Sequence, residues 1–339
     1  MKLYTACYPI VLGAAWLVAC GDGSSPGSAP SQSNGGGGSS SSAGTAPGGS
    51  SNASAGSSSA GSSSAGASGL GGAGGGTAGS AGNGGSGGGA ATPSTEKFSF
   101  FVTSLRAMQQ LSGSDDGFGG DLRFGETGDG AGLKGADKIC TTIAETSMPG
   151  NGKTWRAFLS ATKGQDGAEV NAIDRIGEGP WYDRTGRLLA ANKADLVNVR
   201  PQGADPAIID DLPNEDGVPN HEPVPGEGEV DNHDMLTGTN DEGKLFSTDA
   251  GYTCNDWTSS VGDTGEPRCG HSWPRSFGNG GPGGLPGGGS GENWMSALNE
   301  AGCAPGVWII ENGPPGANGT KSVGDGGGYG GIYCFALSP

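Results

Sequence analysis

Between Pro201 and Gly243 the chain places twelve carboxylates and no lysine or arginine. Like charges crowded into one segment repel, and a hard cation with oxygen ligands relieves the repulsion; calcium accepts six to eight oxygens in flexible geometry. The expectation is a calcium-ordered loop with Asp210, Asp211, Glu215, Asp216 and Glu222 as candidate ligands. A solvated acidic loop is the plain alternative. Of the three histidines, His221 and His233 lie in the same segment and His271 beyond it. A zinc site using them with Asp or Glu is chemically available, whereas exposed or hydrogen-bonded histidines need no metal. Tryptophans can stack on sugars, and Trp257 and Trp273 are the candidate ligand contacts, set against the ordinary core role of Trp181, Trp257, Trp273, Trp294 and Trp308.

Catalytic patterns are missing. Within residues 96–339 no Gly-x-Ser-x-Gly elbow or His-Glu-x-x-His pair occurs, and Gly270-His271-Ser272-Trp273-Pro274 lacks the second glycine of an elbow. Two patterns mislead. Gly130-x-Gly132-x-x-Gly135 matches a dinucleotide fingerprint, but no βαβ unit surrounds it. Gly152-Lys153-Thr154 imitates the end of a phosphate loop, with Ser147 where its first glycine belongs. The expectation is a non-enzyme, with a hydrolase that uses two carboxylates of the acidic loop as the competing reading.

These residues sit in a chain of uneven composition. Lys2 and the apolar run Ile10–Ala19 are too short to span a bilayer, which needs about 20 apolar residues, so residues 1–19 read as an export signal. Leu17-Val18-Ala19-Cys20 resembles the lipobox of bacterial lipoproteins, which implies cleavage before Cys20 and lipid on its sulfur. Two or three acyl chains, at about 0.8 kcal/mol per buried CH2, hold a protein stably to a membrane. Gly21, not Asp, follows, and by that resemblance the location is the cell envelope, at the outer membrane or cell surface.

Residues 20–95 form the expected tether. Of the 75 residues from 21 to 95, 61 are Gly, Ser or Ala, Asp22 is the one charge, and none is aromatic. Such a segment buries too little apolar surface to offset its ordering entropy, and as a disordered linker it would span about 40–55 Å. All nine Phe and six of the seven Trp fall beyond it, which marks residues 96–339 as the folded domain. The net charge of −17 argues against nucleic acid as a partner and favours cations or neutral ligands.

Within that domain Phe98–Thr103 predicts a strand. Leu133, Ala136, Ile139, Cys140 and Ile143 recur at helical spacing, predicting a helix over Gly132–Ser147. Thr154–Ser160, Val307–Ile310 and Gly331–Leu337 predict further strands, with loops dominating Ala191–Asp249 and Gly278–Gly291. The class is α+β with few helices. Five cysteines remain (Cys140, Cys254, Cys269, Cys303, Cys334), an odd number for an oxidising compartment, and none forms a Cys-x-x-Cys pair.

Several blocks together resemble endostatin, the C-terminal module of certain collagens. Gly135–Cys140 and Thr154–Ser160 are similar to its helix and following strand. Gly238–Lys244, Tyr252 and Cys254–Trp257 follow two of its later segments, and Ile332–Phe335 its last strand. The chain also resembles a group of uncharacterised bacterial lipoproteins and secreted proteins through Phe100–Ser104, Gly179–Tyr182, Cys254–Ser259 and Gly328–Phe335. The resemblance implies a C-type-lectin-like fold over most of residues 97–339. It also implies bridges Cys140–Cys334 and Cys254–Cys303, which leaves Cys269 free, intermolecular or competing for Cys303. The sugar motifs of C-type lectins are not matched: Glu222-Pro223-Val224 lacks the amide ligand, and Asn255-Asp256-Trp257 has the wrong order. Endostatin's zinc ligands lie near its N-terminus, where this chain has no histidine. The functional expectation is a membrane-tethered, non-catalytic module that recognises a carbohydrate or protein through long loops, with a structural envelope role as a further alternative.

Overall fold

In a computed structural model of the chain, the described residues are 97–223, 230, 232–274, 292–310, 314–317 and 319–339. The chain divides into two units, Met1–Ala81 and Gly82–Pro339, and every described residue belongs to the second. The expected signal peptide, Cys20 and the tether lie outside the described residues, as do Glu227, Glu229 and Asp231.

The described fold is mixed α and β. Its centre is the C-terminal strand, all of whose residues are buried, as a strand covered on both faces must be. Numbered in chain order, the strands are β1 (Phe100–Val102), β2 (Trp155–Ala157), β3 (Trp181–Tyr182), β4 (Leu188–Ala190), β5 (Asp234–Leu236), β6 (Arg268–His271), β7 (Leu298–Asn299) and β8 (Gly328–Ala336). The main sheet runs β1-β8-β5-β6-β7, with β2 also on β8, and β3 pairs with β4 separately. Phe335 faces Phe100 on one neighbour and Arg156 on the other, both antiparallel. Further along, β8 runs parallel to β5, and β5 pairs antiparallel with β6.

Helix α1 is Leu105–Ser112 and α2 is Ala131–Ser147; α3 (Ala172–Arg175) and α4 (Lys193–Leu196) are single turns. Helix α2 buries Leu133, Ala136, Ile139, Cys140 and Ile143, the face its spacing predicts, and packs against β2. Cys140 joins it to Cys334 of β8, Cys254 joins Cys303, and Cys269 is a buried free thiol. Phe335 anchors an aromatic core with Phe100, Phe158 and Trp181 at ring separations of 4.9, 5.6 and 5.5 Å.

One sequence expectation needs correction, and one helix lies outside the sequence reading. Val307–Ile310 is not a strand: the Trp308 backbone N–H donates to Gly328 O, but Ile310 is 70% exposed, so the apolar run has no sheet to enter. Helix α1 escapes the periodicity reading because it is short: Met108 is its one fully buried residue, with Leu105 and Leu111 partly buried beside it. It is set instead by its ends, a Ser104 hydroxyl accepting from Ala107 N and a left-handed Gly113.

The Gly130-x-Gly132-x-x-Gly135 pattern turns out to be a packing device. A Cβ on Gly132 would lie 2.1 Å from Asp256 O, and one on Gly135 would lie 2.1 Å from both Leu122 O and Arg123 O. Protein backbone thus occupies the room a dinucleotide would need. The partner of Gly132 is a left-handed turn, Cys254–Trp257, in which all four residues have positive φ. Such residues cost energy unless tied down. Here the Cys254–Cys303 bridge, the Trp257 indole donating to Ser160 O, and Asp256 accepting from Thr162 N and Oγ1 hold the turn.

Candidate functional site

The register of β5 and β6 sets Asp234 directly opposite His271, and His233 immediately precedes Asp234. Nε2 of His271 lies 2.9 Å from Asp234 Oδ1, and Nε2 of His233 lies 3.6 Å from the same oxygen. The two imidazole rings meet edge to face at 4.3 Å. All three side chains are fully buried. Among the described residues, they form the one group of three or more His, Cys, Asp or Glu whose donor atoms all lie within 4.8 Å of one another.

The surrounding backbone is fixed by polar contacts. Half-buried Arg200 donates from Nη1 to His271 O and from Nη2 to Ser272 O, and Ser272 N donates to His233 O. Removal from water lowers the Arg200 pKa to about 10, still well into the cationic range at neutral pH. Asn220 and Asn232 bond reciprocally through each other's carbonyl oxygens, and Asn220 also donates to Ser272 Oγ. Trp273 stacks on His221 at 4.1 Å and meets His233 edge-on at 5.0 Å.

Glu300 extends the cluster on its oxygen side. It is buried, and its Oε2 accepts from Gly326 N at 2.8 Å. Burial, and then the Asp234 carboxylate beside it, push its pKa well above the usual carboxylate range. Gly326 has no room for a side chain here, since a Cβ would come within 2.7 Å of Asp234 Oδ2. Cys269 lies on the same strand as His271, and burial drives its thiol pKa up, so the reactive thiolate is disfavoured.

The acidic residues expected to hold calcium do not converge. Asp210 and Glu222 are exposed. Asp211 accepts from His221 N at 3.0 Å, and Asp216 forms a surface ion pair with Arg106. Both oxygens of buried Glu215 are occupied by Ser104 N and Oγ, so it ties the acidic loop to the start of α1. Trp257 is a core residue with no exposed face for a sugar, while Trp273 is half-buried with one face covered by His221.

His233 is among the sequence candidates for zinc, but its described partners are His271 and Asp234, with His221 directed to Trp273 instead. The separation of 37 residues between Asp234 and His271 gives no local signal. Only strand pairing brings them together. No protein-family model matches the chain, and no curated protein sequence matches it.

Proposed function

We propose that this protein is a lipid-anchored, non-catalytic binding module of C-type-lectin-like fold, held at the cell envelope through Cys20 and recognising a carbohydrate or protein through its loops. The observation that carries the reading is the disulfide pairing. Five cysteines allow fifteen ways of forming two bridges, five choices of the odd thiol with three pairings each. The pairs Cys140–Cys334 and Cys254–Cys303, with Cys269 left over, are those the endostatin resemblance implies. The loop-rich stretch from Ala191 to Pro223, in which α4 is the only helix or strand, supports a recognition role.

The test applies the full chain and its Trp273→Ala variant to glycan and protein arrays, with release of soluble product assayed in parallel. Retention of a ligand without product, weakened by Trp273→Ala, supports the reading. Product release by the wild-type chain would instead establish a hydrolase.

A further inference from the structure

We propose that His233, Asp234 and His271 bind a divalent transition metal of the zinc type, which joins the ends of β5 and β6. This inference stands apart from any ligand the loops recognise.

Spacing is the first argument. Four donors around zinc at about 2.0–2.1 Å lie about 3.3 Å from one another in a tetrahedron. The distances from Asp234 Oδ1 to the two imidazole nitrogens, 2.9 and 3.6 Å, bracket that value. Small side-chain rotations would therefore bring the donors around one ion. The donor types are the second argument. Two imidazoles with one carboxylate suit zinc, iron or copper, whereas calcium and magnesium call for oxygen alone.

A nearby carboxyl is the third. Glu300 is buried beside Asp234, and both carboxyl groups reach the same Gly326, so Glu300 offers a further oxygen to an ion held by the three donors.

Rigidity is the fourth. The backbones of His271 and His233 are held by Arg200 and Ser272, the kind of outer support that orients metal ligands. A cavity of about 220 Å³, lined by Glu300, Leu298, Asn299, Pro314 and Pro315, lies on the Glu300 side of the cluster. Three protein donors leave the fourth position of a tetrahedral ion to a further ligand, Glu300 or water, in a site whose own donors are all buried.

The experiment titrates the metal-stripped full chain with zinc, and separately with calcium, by calorimetry and thermal melting. Cobalt is then substituted to read the ligand field. The expected result is a single zinc, a melting rise of roughly 5–10 °C at a hundredfold excess of free metal over Kd, and no comparable response to calcium. Cobalt should give the strong visible band of a four-coordinate site. His271→Gln and His233→Gln should each weaken zinc binding by about 100-fold or more. Wild-type protein that shows neither zinc-dependent melting nor a cobalt band overturns the proposal and leaves a hydrogen-bonded triad. Zinc binding that is indifferent to both substitutions overturns it as well. Should the variants fail to fold, X-ray absorption on zinc-loaded wild type decides: two imidazole nitrogens at the metal support the site, and none overturns it.

Discussion

Replacing Gly135 by alanine tests whether α2 is placed by its own propensity or by the backbone it leans on. Alanine in a helix interior gains about 0.8–1.0 kcal/mol over glycine. Against this, the new Cβ would sit 2.1 Å from two carbonyl oxygens, Leu122 O and Arg123 O. That is more than about 1 Å inside ordinary contact, and neither obstacle is a side chain that can swing aside. Overpacking of this kind costs about 1–3 kcal/mol and sometimes more, and with two backbone obstacles the upper end applies. The net expectation is a loss of about 2 kcal/mol. Gly113→Ala is the matched control: φ is +70° and nothing lies within 4 Å of the added methyl, so conformational strain alone costs about 1 kcal/mol. Denaturant unfolding with the disulfides intact reads both. Gly135→Ala protein as stable as wild type, or more so, would refute the steric argument and show that the helix can slide off its support.

Three further outcomes are expected. Replacing Cys254 and Cys303 together by serine opens a loop of sequence separation 49 and should cost about 4 kcal/mol in denaturant unfolding, against about 5 for the Cys140–Cys334 bridge at separation 194. Asp137→Ala removes the carboxylate that accepts from Ala157 N, Arg156 and Arg175, and stranding the buried Arg175 guanidinium should cost about 3–5 kcal/mol in the same assay. Burial raises the Asp211 carboxyl from 3.8 to about 6, so its stabilising contribution is full below about pH 4 and lost as pH rises through 6. Asp211→Asn should therefore match wild type near pH 4 and exceed it at pH 8 by at most about 3 kcal/mol, in unfolding curves recorded with EDTA. A variant less stable than wild type at pH 8 would reverse the sign of this reasoning.

Local pattern was enough for the elements whose sequence period matches their environment. The 3.6-residue recurrence from Leu133 to Ile143 marks α2 to within a residue of its observed start, because one face of that helix is buried along its length. The aromatic and β-branched runs at Phe100 and Ile332 likewise mark β1 and β8. Runs of that kind are also what misled at Val307–Ile310, where apolar residues meet no sheet. The disulfide pairs were legible only through resemblance, since spacing does not choose among the possible pairings.

The sequence by itself determined the composition of the cluster but not its existence: three histidines, a carboxylate-rich segment and an odd cysteine are all there to be read. It even directed attention to His221 and to the most crowded carboxylates. Tertiary structure decided otherwise, because β5 is only three residues long and β6 four, too short to stand out from loop. Their antiparallel register faces Asp234 with His271, and burial turns three ordinary side chains into a donor set. Proximity across a sheet is a property of strand pairing, and no window along the chain contains it.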